Sequence, residues 1–210
     1  MVYILPLVLS YLAGSIPTSI IVGKLWKGID IRQHGSGNAG ATNVYRVLGA
    51  IPALITTIID VGKGWLSAFY FARIFEVPQP YQTWYALACG IIAVLGHIYT
   101  IFANFKGGKG VLTGAGVLAA FDPFALLVGI VVFGIILAVF KIVSLGSLSA
   151  AASIAIFFLL SNYFGRKIPL PLFFTCLFLT LLLFYTHRGN IKRILAGTER
   201  KLGQKDKTFS

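Results

Sequence analysis

Six residues, Phe105-Lys106-Gly107-Gly108-Lys109-Gly110, stand between two apolar stretches, Trp84 to Phe102 and Val111 to Phe121. A glycine backbone can curl until successive N–H groups point at one anion, and the two lysines supply the opposite charge. The alternative is a tight turn between helices whose lysines extend toward water. The P-loop pattern is absent, because Ala103 stands at its first glycine position and Gly110 at its Ser/Thr position. The stretch predicts a turn that binds a phosphate group, and it does not predict a nucleotide triphosphatase.

The composition around this stretch is that of an integral membrane protein. Hydrophobic residues make up 57% of the 210 residues and charged residues 11%, whereas a soluble domain carries about a quarter charged residues. Charges, Pro and Gly divide the chain into apolar runs at Val2 to Gly23, Ile51 to Phe71, Trp84 to Phe102, Val111 to Phe121, Pro123 to Phe140, Leu145 to Leu160 and Ile168 to Thr186. Most approach the roughly 20 residues that cross about 30 Å of hydrocarbon. We expect an all-α membrane protein of about seven transmembrane helices, forming a single domain over residues 1–210.

The charge distribution gives the predicted topology. The fourth run is short, but a Pro after an Asp, as in Asp122-Pro123, favours a turn between the fourth and fifth runs. With seven crossings, most basic residues share the side that the positive-inside rule assigns to the cytoplasm. These are Lys24, Lys27, Arg32, Arg46, Lys106, Lys109, Lys141, Arg188, Lys192, Arg193, Arg200, Lys201, Lys205 and Lys207. Arg73, Arg166 and Lys167 fall on the other side, so we predict the N-terminus outside and the C-terminus inside.

Other features of composition restrict the function. The first run lacks a charged n-region and an A-x-A cleavage pattern, so we expect a retained helix and not a secretory signal. Cys89 and Cys176 lie within apolar runs and predict neither a disulfide framework nor a metal site. The net charge of +12 fits both attraction to anionic lipid and an anionic substrate. We expect no cofactor and no nucleic-acid partner.

Three polar segments interrupt the apolar background: Lys24 to Gly49, Asn104 to Gly110, and His187 to the end. The first is longer than a connector between helices requires. It contains the sequence Gly35-Ser36-Gly37-Asn38-Ala39-Gly40-Ala41-Thr42-Asn43, followed by Arg46. GxGxxG is matched formally, but no strand precedes it, so a dinucleotide site is not supported. Its small residues and side-chain donors suit either an ordinary flexible loop or a loop that wraps a polyoxygenated ligand, with Arg46 able to bind phosphate.

The third polar segment has the pattern of an amphipathic helix at a membrane interface. One face, at intervals of three and four residues, consists of His187, Asn190, Ile191, Ile194 and Leu195. We expect His187 and Asn190 to point toward the other two segments. His97, at the end of the third run, is either a packing histidine or a hydrogen-bonding group of the site. Asp60 and Lys63 lie one helical turn apart in the second run, where we expect them to pair and support the first segment.

With these segments in view, the chain resembles the bacterial acyl-phosphate:glycerol-3-phosphate acyltransferases, polytopic enzymes of the cytoplasmic (inner) membrane that make lysophosphatidic acid for phospholipid synthesis. Three motifs carry the resemblance in order: Gly35 to Asn43 with Arg46; Gly96-His97 through Lys106-Gly107-Gly108-Lys109-Gly110-Val111; and His187-Arg188-x-Asn190-Ile191-x-Arg193 through Gly197-Thr198-Glu199. One departure is Thr100, where the family usually has Pro. We expect its loss to straighten or loosen the helix end.

The resemblance implies transfer of an acyl group from acyl phosphate to the 1-hydroxyl of glycerol 3-phosphate, with membrane lipid around the enzyme. It leaves open whether a soluble enzyme delivers the donor. The sequence offers no HxxxxD dyad, so we expect a phosphate oxygen of the donor to take the hydroxyl proton. The expected catalytic residues are Ser36, Arg46, Lys109, His187 and Asn190. The expected substrate-binding residues are Gly37, Asn38, Gly40, Thr42, Asn43, His97, Lys106, Gly107, Gly108 and Gly110.

Within this site we expect Ser36, Arg46, Lys109 and Asn190 to hold the acceptor, and the backbone around Lys106 to Gly108 to hold the donor phosphate. The acyl tail should lie in an apolar groove between helices that is open to lipid. The competing hypothesis is a transporter of phosphate esters, which would also place cations and broken helices near anions.

Overall fold

The computed structural model describes residues 3–204, and all regular secondary structure in that part of the chain is helical. The α-helices are α1 Ile4–Ser15, α2 Thr18–Lys27, α3 Ala41–Leu48, α4 Ala50–Trp65, α5 Gln82–Ile98, α6 Val111–Phe121, α7 Pro123–Phe140, α8 Val143–Tyr163, α9 Leu170–Thr186 and α10 Arg188–Leu195. The all-α prediction is therefore confirmed for these residues. Lys205 and Lys207 of the predicted basic tail lie outside them.

Within residues 3–204, four helical stretches are long and apolar enough to cross a membrane: Ile4–Lys27, Gln82–Ala103, Pro123–Phe140 and Val143–Ser161. A fifth is added if α9 and α10, which meet at a bend of 62°, count as one span. The remaining two predicted runs are α6, which has 11 residues, and α4, which carries buried Asp60 and Lys63. All seven predicted runs are thus helical, and the count of seven crossings stays a prediction.

The predicted turn between the fourth and fifth runs is confirmed at Asp122. The carboxylate of Asp122 accepts a hydrogen bond from the backbone N–H of Ala125 at 3.0 Å, which caps α7, and Pro123 occupies the first helical position. Arg166, from the connection between α8 and α9, donates to the other carboxylate oxygen at 2.8 Å. A cap and an ion pair therefore stabilise the separation of α6 from α7.

Pro17 breaks the first helical stretch, and the buried Lys63 binds a backbone carbonyl at this break. Proline has no N–H and cannot continue the hydrogen-bond ladder, so α1 ends at Ser15 and α2 begins at Thr18. Lys63 of α4 donates to the carbonyl of Ile16 at this break, at 3.2 Å, and lies 2.8 Å from Asp60. The predicted pairing of Asp60 with Lys63 is confirmed, and it joins α4 to the break.

Two glycines allow α4 and α6 to pack with their backbones in contact. A Cβ atom added at Gly64 would lie 2.0 Å from the carbonyl oxygen of Thr113, and one added at Gly116 would lie 1.9 Å from that of Val61. Small residues of this kind permit the closest helix contacts in membrane proteins. This packing fixes the beginning of α6 against α4, at the end of the bundle where the polar segments meet.

We predict that Gly64→Ala destabilises the protein by about 1–3 kcal/mol, because the new methyl group must displace the α6 backbone. Gly62→Ala is the matched control, since Gly62 is exposed on the same helix and an added Cβ there meets no atom within 4 Å. Thermal unfolding in detergent should show a lower melting temperature for the first variant only. Equal melting temperatures would contradict the close contact of α4 with α6.

Candidate functional site

A polar cavity of about 1010 Å³ lies where the three polar segments come together. Its lining includes residues from all three segments, together with parts of α4, α7 and α8. The predicted residues that line it are Ser36, Gly37, Asn38, Gly40, Thr42, Asn43, Arg46, His97, Lys109, Gly110, His187 and Asn190. Stretches of chain that are separated by two or more α-helices therefore form one site.

Asn43 organises the first polar segment from within. Its side-chain oxygen accepts a hydrogen bond from the backbone N–H of Ser36 at 2.8 Å, and its amide nitrogen donates to the carbonyls of Ile31 and His34, each at 2.9 Å. The side chain is buried, and Gly35 passes close to it with a φ of +60°, a conformation that favours glycine. Asn43 thus holds the loop in shape, while Ser36 remains exposed at the cavity.

Arg46 lies on α3, where its half-buried side chain faces the polar cavity. One of its guanidinium nitrogens donates to the backbone carbonyl of Arg200 at 3.4 Å, so the first and third polar segments contact each other there. The loop before α3 is fastened separately. Arg32 pairs with Asp30 at 2.7 Å and also donates to the carbonyl of Ala103, the residue before the second segment, at 3.2 Å.

In the second polar segment, Lys109 and Gly110 line the polar cavity, whereas the residues before them do not. The N–H groups of Gly107 and Gly108 donate to the carbonyls of Ile98 and His97, at 3.0 and 3.1 Å. Lys106 is exposed, and Lys106, Gly107 and Gly108 are not among the residues that line the polar cavity. The predicted binding of phosphate by these N–H groups is not supported, because the end of α5 already uses them.

Glycine is nevertheless needed at these positions for packing. A Cβ atom at Gly107 would lie 2.0 Å from the carbonyl oxygen of His97, and one at Gly108 would lie 2.2 Å from the imidazole Nε2 of the same residue. The glycines therefore bring the loop against the end of α5, and this contact aims Lys109 into the cavity.

Three helices begin at the polar cavity. The lining includes Gly40 to Thr42 at the start of α3, Gly110 to Leu112 at the start of α6, and Arg188 to Asn190 at the start of α10. The first N–H groups of an α-helix have no partner within the helix, and the helix dipole makes this end positive. Such an end binds anions readily. The lysines and glycines of the sequence predict an anion site but do not reveal this contribution of helix direction.

Glu199 connects the groups that surround Lys109. One of its carboxylate oxygens accepts hydrogen bonds from the amide of Asn190 at 2.5 Å and from the hydroxyl of Ser144 at 2.8 Å. Its other oxygen accepts from Arg193 at 2.6 Å. The oxygen of the Asn190 side chain in turn accepts from the ammonium group of Lys109 at 2.5 Å. A chain of hydrogen bonds thus runs from Glu199 through Asn190 to Lys109.

Burial changes the titration of two groups in the cavity. Burial, together with Arg193 and Arg46 and against the attraction of Glu199, lowers the pKa of Lys109 to about 8. Burial and the nearby charge of Lys109 lower the pKa of His187 to about 4. At neutral pH the lysine is therefore mostly charged and the histidine is neutral.

The tautomer of His187 follows from its partner. Its Nδ1 lies 2.9 Å from the carbonyl oxygen of Leu183, which can only accept, so Nδ1 carries the proton and Nε2 is left as an acceptor. A neutral imidazole with this pKa is a weak base. It can accept a hydrogen bond from a hydroxyl group, but it does not readily remove the proton.

The structure supports a role for His97 in the wall of the cavity. Its side chain is buried, lines the cavity and lies 3.8 Å from a carboxylate oxygen of Asp60. Nearby, Thr100 has a φ of −68°, close to the angle that proline would impose, and its hydroxyl donates to the carbonyl of Ser15. In this chain α5 ends at Ile98 and the threonine is hydrogen-bonded to α1. The expected effect of replacing Pro at this position stays a prediction.

An apolar groove adjoins the polar cavity. It has a volume of about 240 Å³ and runs between α6 and the helices α7, α8 and α9, with side chains such as Leu118, Ile154 and Leu179 along its walls. Lys109, Gly110, Val111 and Leu112 line both the groove and the polar cavity. The beginning of α6 is therefore the boundary between a cationic site and an apolar one.

Four residues at the site were not predicted from the sequence to belong to it. Glu199, Arg193 and Asp60 appeared only as parts of a motif, a helix or an ion pair, and Ser144 was not considered at all. The signal for Glu199 was its isolation, since it is the only acidic residue of the described tail. Among residues 3–204, no group of three or more His, Cys, Asp or Glu side chains is placed to hold a metal ion.

Comparison with known proteins gives one consistent result. A sequence model of the family described as "Glycerol-3-phosphate acyltransferase" matches residues 4–197. Glycerol-3-phosphate acyltransferases of Chlorobaculum tepidum and Geobacillus kaustophilus are 41% and 45% identical to the chain, and each match covers 93% of this chain and 94% of the relative.

Two solved structures are also similar. They are crystal structures of PlsY, described as an integral membrane glycerol 3-phosphate acyltransferase, in a glycerol 3-phosphate form and a lysophosphatidic acid form. Their TM-scores are 0.85 and 0.83 at 35% and 36% identity, over 97% of this chain and 96% of theirs.

We predict that Glu199→Ala weakens both the fold and the binding of phosphate. The substitution leaves the buried groups of Asn190 and Ser144 without an acceptor, at about 1–3 kcal/mol each, and it releases the residue that orients Lys109. Thermal unfolding and calorimetric titration with inorganic phosphate measure the two effects. Glu76→Ala is the control, because it removes the same charge from an exposed residue near the start of α1. Wild-type values for Glu199→Ala in both measurements would show that the hydrogen-bond chain is dispensable.

Proposed function

The chain belongs to the glycerol-3-phosphate acyltransferase family, and on that premise we propose that it transfers an acyl group from acyl phosphate to the 1-hydroxyl of glycerol 3-phosphate. It is an integral membrane acyltransferase of phospholipid synthesis. The observation that supports acyl phosphate as the donor is the boundary at α6. There a cationic cavity suited to phosphate groups meets an apolar groove suited to a hydrocarbon chain. A donor that carries its phosphate directly on the acyl group matches this short distance between charge and apolar surface.

We assign the donor phosphate to the beginning of α6, at Gly110 to Leu112, because a helix N-terminus lies there at residues that line both the cavity and the groove. Phe133 and Ser147 also line both spaces. The acyl chain then extends along the groove. The phosphate of the acceptor lies at the beginning of α3 and near Arg46 and Ser36, on the side of the cavity that is remote from the groove. Lys109 lies between the two positions and its ammonium group neutralises charge on both.

The reaction follows from this arrangement. The oxygen of the acceptor's 1-hydroxyl attacks the carbonyl carbon of the acyl phosphate, the bond from that carbon to the phosphate oxygen breaks, and inorganic phosphate leaves. The hydroxyl proton goes to an oxygen of the departing phosphate. Acyl phosphate is already an activated anhydride, so positioning and charge stabilisation supply most of the rate enhancement.

The roles of the side chains fit a site with cations and without a strong base. His187 accepts a hydrogen bond from the attacking hydroxyl through Nε2 and orients it. Asn190 holds the ammonium group of Lys109 through its oxygen, at 2.5 Å. Arg46 binds the acceptor phosphate, and Thr42 and Asn38 complete the wall around the glycerol. Asn43 acts through the loop that it holds.

We further propose seven crossings with the N-terminus outside, so that the polar cavity faces the cytoplasm of a bacterial inner membrane. Lys24 and Lys27 lie in the last turn of α2, Lys141 follows α7 and Lys106 lies in the connection before α6. In the proposed topology all four lie on the cytoplasmic side, which agrees with the positive-inside rule. The competing transporter would need a site near the bilayer midplane with access from both faces. The cavity is lined mainly by the three polar segments, which the proposed topology places on one side of the membrane, and this arrangement does not favour a transporter.

The donor is tested directly with purified protein in detergent. Glycerol 3-phosphate is supplied with either hexadecanoyl phosphate or hexadecanoyl-CoA, and lysophosphatidic acid and inorganic phosphate are measured. We expect equal amounts of both products from the acyl phosphate and no ester from the thioester. Ester formed only from the thioester would refute the proposed donor while leaving the family assignment intact.

The pH dependence of the reaction tests Lys109. Its pKa of about 8 means that the ammonium group is charged below that pH and neutral above it, so kcat/KM should fall as the pH rises through about 8. Lys109→Arg keeps its charge and should move this fall to higher pH, whatever the loss in absolute rate.

Lys106→Ala is the matched control from the same loop, because Lys106 is exposed and lies outside the cavity lining. It should keep the wild-type pH profile. An unchanged alkaline limb in Lys109→Arg would assign that limb to another group.

A further inference from the structure

The apolar groove contains a glycine that the packing of the protein does not require. Gly114, the fourth residue of α6, lines the groove, and a Cβ atom added there meets no atom within 4 Å. Two neighbouring glycines differ from it. At Gly116 the added atom would lie 1.9 Å from the carbonyl oxygen of Val61, and at Gly129 it would lie 2.5 Å from the side chain of Ile154.

The backbone does not require glycine at this position either. Gly114 lies within a regular helix, and its φ is outside the left-handed range that excludes other residues. Glycine inside a helix lowers stability relative to alanine, which would fit here. Gly114 therefore keeps a part of the groove open at the expense of helix stability, and a ligand that occupies the groove would use this space.

The position of Gly114 along the groove indicates which part of a ligand passes it. Its N–H donates to the carbonyl of Gly110 at 2.8 Å, one helical turn away. At about 1.5 Å per residue, Gly114 lies about 6 Å along α6 from Gly110. The groove and the polar cavity share Gly110 to Leu112. A hydrocarbon chain whose phosphate lies at the beginning of α6 must pass Gly114 within its first few carbon atoms.

We propose that Gly114 is a specificity-determining residue for the acyl group. Its missing side chain leaves the mouth of the groove wide enough for a long acyl chain, and a branched side chain there closes the groove to all but the shortest acyl groups. This proposal rests on the proposed function, because it takes the acyl chain of the substrate as the occupant of the groove.

The test compares Gly114→Leu with Gly134→Leu. Gly134 is exposed on α7, lies outside the linings of the groove and the cavity, and also has open space around an added Cβ. For Gly114→Leu we expect kcat/KM to fall about tenfold or more with hexadecanoyl phosphate and to stay near the wild-type value with acetyl phosphate. Gly134→Leu should leave both values unchanged. Equal losses with the two donors, or the same selective loss in Gly134→Leu, would overturn the proposal.

A binding measurement separates this proposal from that of the donor. Calorimetric titration with hexadecanoyl lysophosphatidic acid and with glycerol 3-phosphate needs no acyl donor. Gly114→Leu should weaken binding of the first about tenfold or more and leave binding of the second unchanged. If the wild-type protein used only an acyl thioester, the donor proposal would fail and this measurement would still decide the role of Gly114.

Gly114→Ala tests the same proposal in a variant that is expected to fold even if Gly114→Leu does not. Alanine fits the space, so its melting temperature should equal or exceed that of the wild type. Its affinity for the long-chain product should fall in the same direction as in Gly114→Leu, by a smaller factor. Unchanged or tighter binding in Gly114→Ala, together with wild-type affinity in Gly114→Leu, would show that the open space does not serve the acyl chain.

Discussion

The hydrogen bonds of the Glu199 carboxylate are the interaction on which the functional site depends. The cavity collects cations and the positive ends of three helices, and these would repel one another without a compensating charge. Glu199 supplies that charge and contacts Asn190, Ser144 and Arg193. It thereby joins the connection after α10 to α8, and through Asn190 it sets the position of the Lys109 ammonium group. An excess of positive charge remains in the cavity.

The second constraint is the position of the beginning of α6. Close backbone contact with α4 at Gly64 and Gly116 places this helix end against the cavity, while its other side is left open toward α8 and α9 as the apolar groove. One short helix thus separates a region that favours anions from a region that favours hydrocarbon. An amphipathic substrate is oriented by this boundary alone, since its charged and apolar parts can each lie on only one side. In the proposed reaction, the carbonyl that is attacked lies where the two regions meet.

The sequence predicted which residues line the site better than it predicted the contacts that they make. Twelve of the predicted site residues line the polar cavity, because small polar and basic residues between apolar runs have few other uses. The structure does not support phosphate binding by the Gly107 and Gly108 backbone, and composition does not reveal that the end of α5 already binds those N–H groups. Asn43 lines the cavity as expected, and the structure adds that its side chain holds its own loop. Hydrogen-bond partners distant in sequence decide such roles.

The sequence by itself determined the class of protein, the helical runs, the turn at Asp122-Pro123 and the three segments that carry the chemistry. Each of these depends on local composition or on proline and charge, whose effects need no distant partner. Only the tertiary structure decided which N–H groups and carboxylates are free to act, that three helices begin at one cavity, and that Gly114 faces a groove while Gly116 contacts a neighbouring backbone. These properties arise from the packing of distant helices, and two glycines of one helix have the same local sequence preference whatever they face.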